Sequence, residues 1–285
     1  MSGPDAGPTV VLDAGMGSVL REPALGAGEL AATMRVVSDD RAGLGWSERG
    51  PCPRYAATLA VELRTALRAA GIPGLYALAG HSFGWLPVRA FAELYRPGVA
   101  GLVAVDGSHP DQWARWPTPN ADRILAASNR LTGLLARFGL LRALDLSARV
   151  SAGLPAQQVD ELRAMTALPR TSIVEAEQLA GWPASRALIA AGRPLGNLPL
   201  VVLGVTEQPF GAATLNELQA DMTTGATNAV RRVVTGATHE SLVADRQHAA
   251  VVADAIRSVA GLHGRDPVKP LSAPLAAKLQ GADNL

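Results

Sequence analysis

A chain of 285 residues with 18% charged residues and a formal net charge of +1 is long enough for one large α/β domain or two small ones. Both signs of charge are scattered, which argues against a nucleic-acid-binding surface, and no run reaches the roughly 18 consecutive apolar residues of a membrane span. The single cysteine, Cys52, excludes internal disulfides and cysteine-rich metal sites and fits a reducing, cytoplasmic compartment, and Met1 to Asp5 show neither the basic nor the apolar part of a secretion signal.

The first apolar run, Thr9-Val10-Val11-Leu12, predicts a strand that opens into Asp13-Ala14-Gly15-Met16-Gly17-Ser18. A short strand followed by glycines is how a parallel sheet brings backbone N–H groups to a site, although a plain turn fits the same residues. The loop has neither a Gly-Lys-Ser/Thr ending nor Gly-x-Gly-x-x-Gly spacing, so it does not read as a phosphate loop. Met34 to Ser38 predicts the next strand. The loop after it, Asp39-Asp40-Arg41-Ala42-Gly43-Leu44-Gly45-Trp46-Ser47, reads as structural, its carboxylates tying down turns. Leu59, Leu63 and Leu67 at fourfold spacing predict a helix over 55–70, stopped by Gly71 with Pro73 beyond.

Leu75 to Ala79 predicts a strand, Trp85 to Tyr95 a helix, and between them stands Gly80-His81-Ser82-Phe83-Gly84. Strand, sharp turn with serine at its apex, then helix is the setting of a nucleophile elbow, and so tight a turn leaves room only for glycine two residues before and two after the serine. With 29 glycines in the chain, composition alone supplies roughly 0.15 such pentapeptides, so the flanks carry the inference. A helix N-terminus with Ser82 as its cap is the plainer interpretation. Val99 to Val105 follows as a strand ending in Asp106-Gly107-Ser108-His109-Pro110. Strands and helices alternating at this spacing predict a parallel, doubly wound α/β sheet.

The pattern changes at Gln112. Over 112–195 the periodicity is helical with Pro and Gly breaks, which predicts a helical cap inserted between two parts of one core, 1–111 and 196–262. Leu131 to Leu144 is apolar on most of its circumference and so predicts burial against a partner; a membrane-surface helix is the alternative. Strands resume at Leu198 to Val205, followed by Glu207, a helix over about 214–223 and a last strand, Val230 to Val234. A loop from Thr235 to Leu242 carries His239, a closing helix spans about 244–260, and the Pro-, Gly- and polar-rich tail 263–285 predicts disorder.

A serine hydroxyl needs a base within hydrogen-bond reach. His81 adjoins Ser82 in the turn and points elsewhere, His248 falls inside the last helix with a solvated side chain, and His263 borders the tail. His109 lies at a strand's carboxyl end and stays possible. His239 follows the last strand on the same sheet edge, where open α/β sheets bind ligands, and is the preferred base. The histidines lack metal-ligand spacing, so neither metal nor organic cofactor is expected.

The set Val10 to Gly15, Asp40 to Ser47, Gly80 to Gly84, Val105 to Pro110 and Gly236 to His239 resembles bacterial members of the α/β-hydrolase superfamily. The resemblance runs from about Thr9 to Leu262; five motifs in order make it specific for the fold and unspecific for the substrate. It implies Ser82 as nucleophile, His239 as general base, and an oxyanion hole from the backbone N–H groups of Met16 and Phe83. For the acid, a Val-Asp-x-Ser-His-Pro segment favours Asp106, with Glu207 after the next strand as the competitor. The implied activity is a carboxylic ester hydrolase acting on a small or medium-sized apolar ester, lactone or thioester, the cap supplying an apolar pocket. A cyclase, lyase or acyltransferase of the same fold, or an inactive ligand-binding member, are the alternatives. Two departures from the family stand out. Its usual N-terminal β-hairpin has only eight residues available before Thr9, leaving the strand near 34–38 close to an exposed edge and predicting a possible homodimer. Trp85 stands where relatives often carry glycine, so it either narrows the acyl pocket or packs beneath the cap.

Overall fold

The hydrophobic pattern resolves into one sheet. A computed structural model describes residues 1–4, 7–18, 26–141, 156–208 and 211–261. Strands β1 (Thr9–Asp13), β2 (Arg35–Ser38), β3 (Tyr76–His81), β4 (Val99–Val105), β5 (Leu200–Glu207) and β6 (Ala229–Thr238) lie in the order β2-β1-β3-β4-β5-β6, each neighbouring pair parallel. The doubly wound α/β expectation holds. β1, β3 and β4 are buried along their whole length, as strands covered on both faces must be.

Alternation decides which face each residue meets. Val10 and Leu12 of β1, Ala77 and Ala79 of β3, and Val103 and Val105 of β4 pack with Val251, Val252, Ile256 and Val259 of the closing helix, Arg246–Ala260. Val11, Leu78, Leu102 and Ala104 point the other way, onto helix α1 (Ala56–Ala69) and helix α2 (Trp85–Leu94) through Leu59, Leu63, Leu67 and Phe91. Gly101 lets the closing helix approach: a Cβ there would stand 2.6 Å from the Val259 Cβ.

Strand order reverses between β1 and β3, so the loops leaving their carboxyl ends diverge and open a crevice. The loop after β1 and the turn after β3 meet there. The edge at β2 differs from expectation. Ser2 forms an antiparallel bridge with Val36, donating its N–H to the Val36 carbonyl (3.0 Å) and accepting from the Val36 N–H (2.8 Å), so part of that edge is occupied.

β6 is longer than its apolar run predicts. Polar and small residues from Thr235 to Thr238 continue the strand because Glu207 pairs with Thr238 across a register shift, and the Gly236 N–H donates to Thr206 Oγ1 at 2.9 Å. His239 therefore sits directly past a two-stranded arm rather than in a long loop.

Between 112 and 195 the described elements are helices, a short one at Gln112–Arg115 and then α3 (Ala121–Arg137), α4 (Ala156–Thr166), α5 (Pro169–Ala180) and α6 (Trp182–Ala190), with α3 lying along α5. The apolar run at 131–144 is not one buried helix. α3 stops at Arg137, Gly139 takes φ +74°, and Leu131, Leu134, Phe138 and Leu140 are exposed; residues 142–144 lie outside the described residues, as does the tail 263–285. No helix among the described residues is long and apolar enough to cross a membrane.

Candidate active site

β3 ends at His81, and the next residue, Ser82, takes φ +53°, a left-handed conformation that a non-glycine residue adopts only under constraint. A 3-10 turn, Ser82–Gly84, passes directly into α2. The two glycines serve different neighbours. A Cβ on Gly80 would meet the Gly84 carbonyl carbon at 2.5 Å, across the turn, whereas a Cβ on Gly84 would meet the Asp13 carbonyl oxygen at 2.5 Å, on β1. Gly80 thus closes the turn and Gly84 docks it against the sheet. The loop after β1 lies alongside: a Cβ on Gly15 would stand 3.6 Å from the Ser82 Cβ.

Asp106 follows β4 and also has positive φ, +43°. Its N–H donates to the Leu203 carbonyl (2.8 Å), and the Ser108 N–H donates to the Ser82 carbonyl (2.9 Å), so the strand end is tied to β5 on one side and to the elbow on the other. The carboxylate is buried and saturated. His239 Nδ1 lies 2.5 Å from Oδ2, Gln208 Nε2 donates to Oδ2 at 2.9 Å, and Gln219 Nε2 donates to Oδ1 at 2.6 Å. An ionised carboxylate only accepts, so both glutamines must present their amide nitrogens and His239 its Nδ1–H. Gln219, from the helix Ala212–Asp221, reaches Asp106 because β5 carries Gly204 where a side chain would meet the Gln219 amide.

These contacts set the charges. Burial alone would raise the Asp106 carboxyl, but the bond and charge of His239 and the Gln219 bond outweigh it, leaving the carboxyl below its ordinary range. Burial would likewise lower His239; the Asp106 hydrogen bond and charge, with help from Glu240, outweigh it and raise the imidazole. With Nδ1 committed to Asp106, Nε2 of His239 is the nitrogen left to exchange protons.

His81 is no base. Its imidazole is buried, its Nε2 lies 3.1 Å from the His239 carbonyl oxygen, and the two rings stand 4.4 Å apart at 36°. Burial, then the neighbouring His239 charge, hold it down to about 3, so it is neutral and donates Nε2–H to that carbonyl. His109 accepts the Asp111 N–H at Nδ1 (3.0 Å) and does not line the cavity that holds Ser82. His248 is partly buried and bonded through Nδ1 to Ser241 Oγ at 2.8 Å, so the solvated side chain predicted for it is not what the fold gives. Glu207, the competing acid, is exposed at the end of β5 and makes no hydrogen bond to His239.

Ser82, Asp106 and His239 line one cavity of about 650 Å³ with Gln112, Trp116 and Leu215. The wall of this cavity is mixed, apolar and polar residues both contributing. From the segment 112–195 Gln112 and Trp116 reach it, and the strand ends contribute Ser108, Thr206, Gln208 and Thr238. Trp113 and Trp182 instead border a separate cavity of about 440 Å³. Trp85 lines neither cavity. It is buried in the core with its Cβ beneath Gly107, which is the packing alternative. Among the described residues no cluster of His, Cys, Asp and Glu could hold a metal ion. The glutamines on Asp106 carried no motif; only their place after β5 and in the following helix would have pointed to them.

Residues 14–184, more than half of the chain, match a family model described as alpha/beta hydrolase fold. The chain belongs to this family. Among solved structures it is similar to Cfl2 from Burkholderia cenocepacia, at 19% identity over 90% of this chain and 88% of that one, with a TM-score of 0.64. It is similar also to a thermophilic esterase from Thermogutta terrifontis, at 22% identity, 90% and 92% coverage and a TM-score of 0.60. A carboxylesterase from Nitrososphaera gargenis gives 15% identity, 91% and 93% coverage and a TM-score of 0.62. At these identities the likeness is one of fold. Comparison with curated protein sequences finds no match.

Proposed function

We propose that this member of the alpha/beta hydrolase fold family is a serine hydrolase that cleaves a small or medium-sized ester, lactone or thioester through an acyl-enzyme. The observation that carries this is the Asp106–His239 hydrogen bond, opening onto the cavity that Ser82 lines from a left-handed turn. His239 Nε2 takes the Ser82 proton as Oγ attacks the carbonyl carbon. Asp106 holds the imidazole in the Nδ1–H tautomer and stabilises the imidazolium. The carbonyl oxygen, now negative, is taken by the N–H groups of Met16 and Phe83. His239 then returns the proton to the leaving oxygen or sulfur, and the acyl group stays on Ser82 until water, deprotonated by the same histidine, releases it.

Similarity in fold to an esterase and a carboxylesterase supports an acyl substrate, and the mixed cavity wall favours one that is not wholly apolar. A cytoplasmic setting is part of the proposal and rests on the lone free thiol, Cys52. The test is labelling with a fluorophosphonate followed by p-nitrophenyl ester hydrolysis. A stoichiometric adduct on Ser82, with Ser82→Ala losing at least about 10³-fold in turnover, is the expected result. Intact protein that neither labels nor hydrolyses any ester refutes the proposal.

A further inference from the structure

The loop Asp39 to Ser47 contains a charge that a bracing role does not account for. Arg41 is 5% exposed, and its guanidinium reaches three consecutive residues, the last of β1 and the first two of the loop after it. Nη1 pairs with the Asp13 carboxylate and donates to the Ala14 carbonyl at 2.7 Å, and Nη2 donates to the Gly15 carbonyl. The same guanidinium lies over the Phe83 ring, 5.4 Å from its centroid. Pairing with Asp13 offsets the buried charge but leaves guanidinium protons to be satisfied. The two carbonyl bonds go further, and they fall on the residues leading to Met16.

We propose that Arg41 is a positioning residue for the oxyanion hole: by pinning the Gly15 carbonyl it aims the Met16 N–H at the carbonyl oxygen of the substrate, and by stacking on Phe83 it ties the second donor to the first. The proposal rests on the acyl-transfer function given above. The peptide between Gly15 and Met16 is planar and trans, so its C=O and N–H point in opposite directions, and fixing one end fixes the other. The Ser18 N–H also donates to the Gly15 carbonyl, at 3.3 Å, so this oxygen carries two donors; such loading polarises the amide and strengthens its N–H as a donor. No acceptor among the described residues takes the Met16 N–H, and the peptide lies alongside Ser82, as the Gly15 contact shows. A donor fixed before charge develops needs no reorganisation during the reaction. The planar fork matters too. An ammonium can replace the charge of Arg41 but cannot hold two carbonyls and a carboxylate in one plane.

The test compares wild type, Arg41→Lys and Arg41→Met on p-nitrophenyl butyrate. Alongside turnover it measures inhibition by a trifluoromethyl ketone, whose serine adduct carries the tetrahedral oxyanion. For Arg41→Met kcat is expected to fall about 100-fold, within the range for loss of one oxyanion donor, while KM stays within about threefold. The ketone's inhibition constant rises in proportion to the loss in kcat. Arg41→Lys, which keeps the ion pair with Asp13, is expected to melt near wild type and still lose at least about tenfold in kcat, with a matching loss in ketone affinity. If Arg41→Met does not fold, the Lys variant decides. A folded variant with wild-type kcat and ketone affinity overturns the proposal, and so does a loss in kcat with no loss in ketone affinity. Failure of the underlying function looks different, because wild type itself then neither labels at Ser82 nor turns over.

Discussion

The strand-end loops and the helices between 112 and 195, the proposed cap, are held by different physics. Below, each group of the proposed triad is held by its surroundings: Ser82 by a left-handed turn docked on β1, Asp106 by two glutamines and His239, and the His239 carbonyl by neutral His81. Above, the cap leaves Leu131, Leu134 and Phe138 exposed and meets the core partly through exposed ion pairs such as Arg186–Asp111. Buried hydrogen bonds between saturated groups resist rearrangement, whereas exposed ion pairs contribute little. The proposed chemistry therefore rests on the more tightly bonded layer.

The largest effect expected from breaking the lower layer is at Asp106. Asp106→Asn keeps the shape but presents an amide where His239 Nδ1–H needs an acceptor, and turnover should fall about 10⁴-fold. Glu207→Gln should leave turnover within about threefold, since Glu207 is not bonded to His239. Steady-state kinetics on one p-nitrophenyl ester separates the two acids, and the reverse ranking would transfer the acid role to Glu207.

Proton linkage sharpens the same contrast. The proposed base must be neutral, and Asp106 raises the His239 imidazole, so kcat/KM should climb with pH through a midpoint above the ordinary histidine value of about 6.5. In Asp106→Asn burial acts without that charge, and the residual activity should show its midpoint at lower pH than wild type. His81 works in the opposite direction. The unfolded chain binds a proton below about pH 6.5, while folded His81 stays neutral down to about 3, so stability should decline as pH falls across that window. Urea midpoints measured from pH 7 to 4 should fall less steeply in His81→Gln than in wild type.

Trp85 tests where the boundary between the layers runs. Because it is buried in the core beneath Gly107 and lines neither cavity, Trp85→Ala should destabilise the protein by about 3–5 kcal/mol, as large-to-small core substitutions do. The chain-length profile for p-nitrophenyl esters should be unchanged. A broadened profile with little loss of stability would place this ring in the substrate's path.

Much of the lower layer is legible in the sequence because it is local. β1, β3 and β4 are continuous apolar runs, the elbow is five contiguous residues, and His239 follows the last β-branched run. What escaped depends on contacts far apart in the chain. Gln219 reaches Asp106 across 113 positions, and Arg41 reaches Asp13 across 28; neither distance leaves a periodicity or a motif. β6 was underestimated because Thr235 to Thr238 have no apolar signature and are held in the strand by pairing with β5. The cap was the least legible part. Leucine density at 131–144 marks a helix but does not say which face a partner covers, and the described part of that segment leaves several leucines in solvent.

The smallest effect belongs to the seam between the layers. Arg49, from the loop after β2, pairs with Glu177 of α5, and its side chain is 54% exposed against 21% for Glu177. Solvent screens such a pair, and two long side chains lose freedom to form it, so the coupling between them should be only about 0.2–1 kcal/mol. A double-mutant cycle with Arg49→Gln and Glu177→Gln, read by urea unfolding, measures that term apart from the loss of either side chain. Salt at 1 M should reduce it further, since the screening length there is about 3 Å. Turnover should be insensitive to both substitutions, because neither residue lines the cavity that holds Ser82. A coupling above about 2 kcal/mol, or a matching loss in kcat, would mean that this ion pair contributes as much as a buried network and that the cap moves with the strand-end loops as one unit.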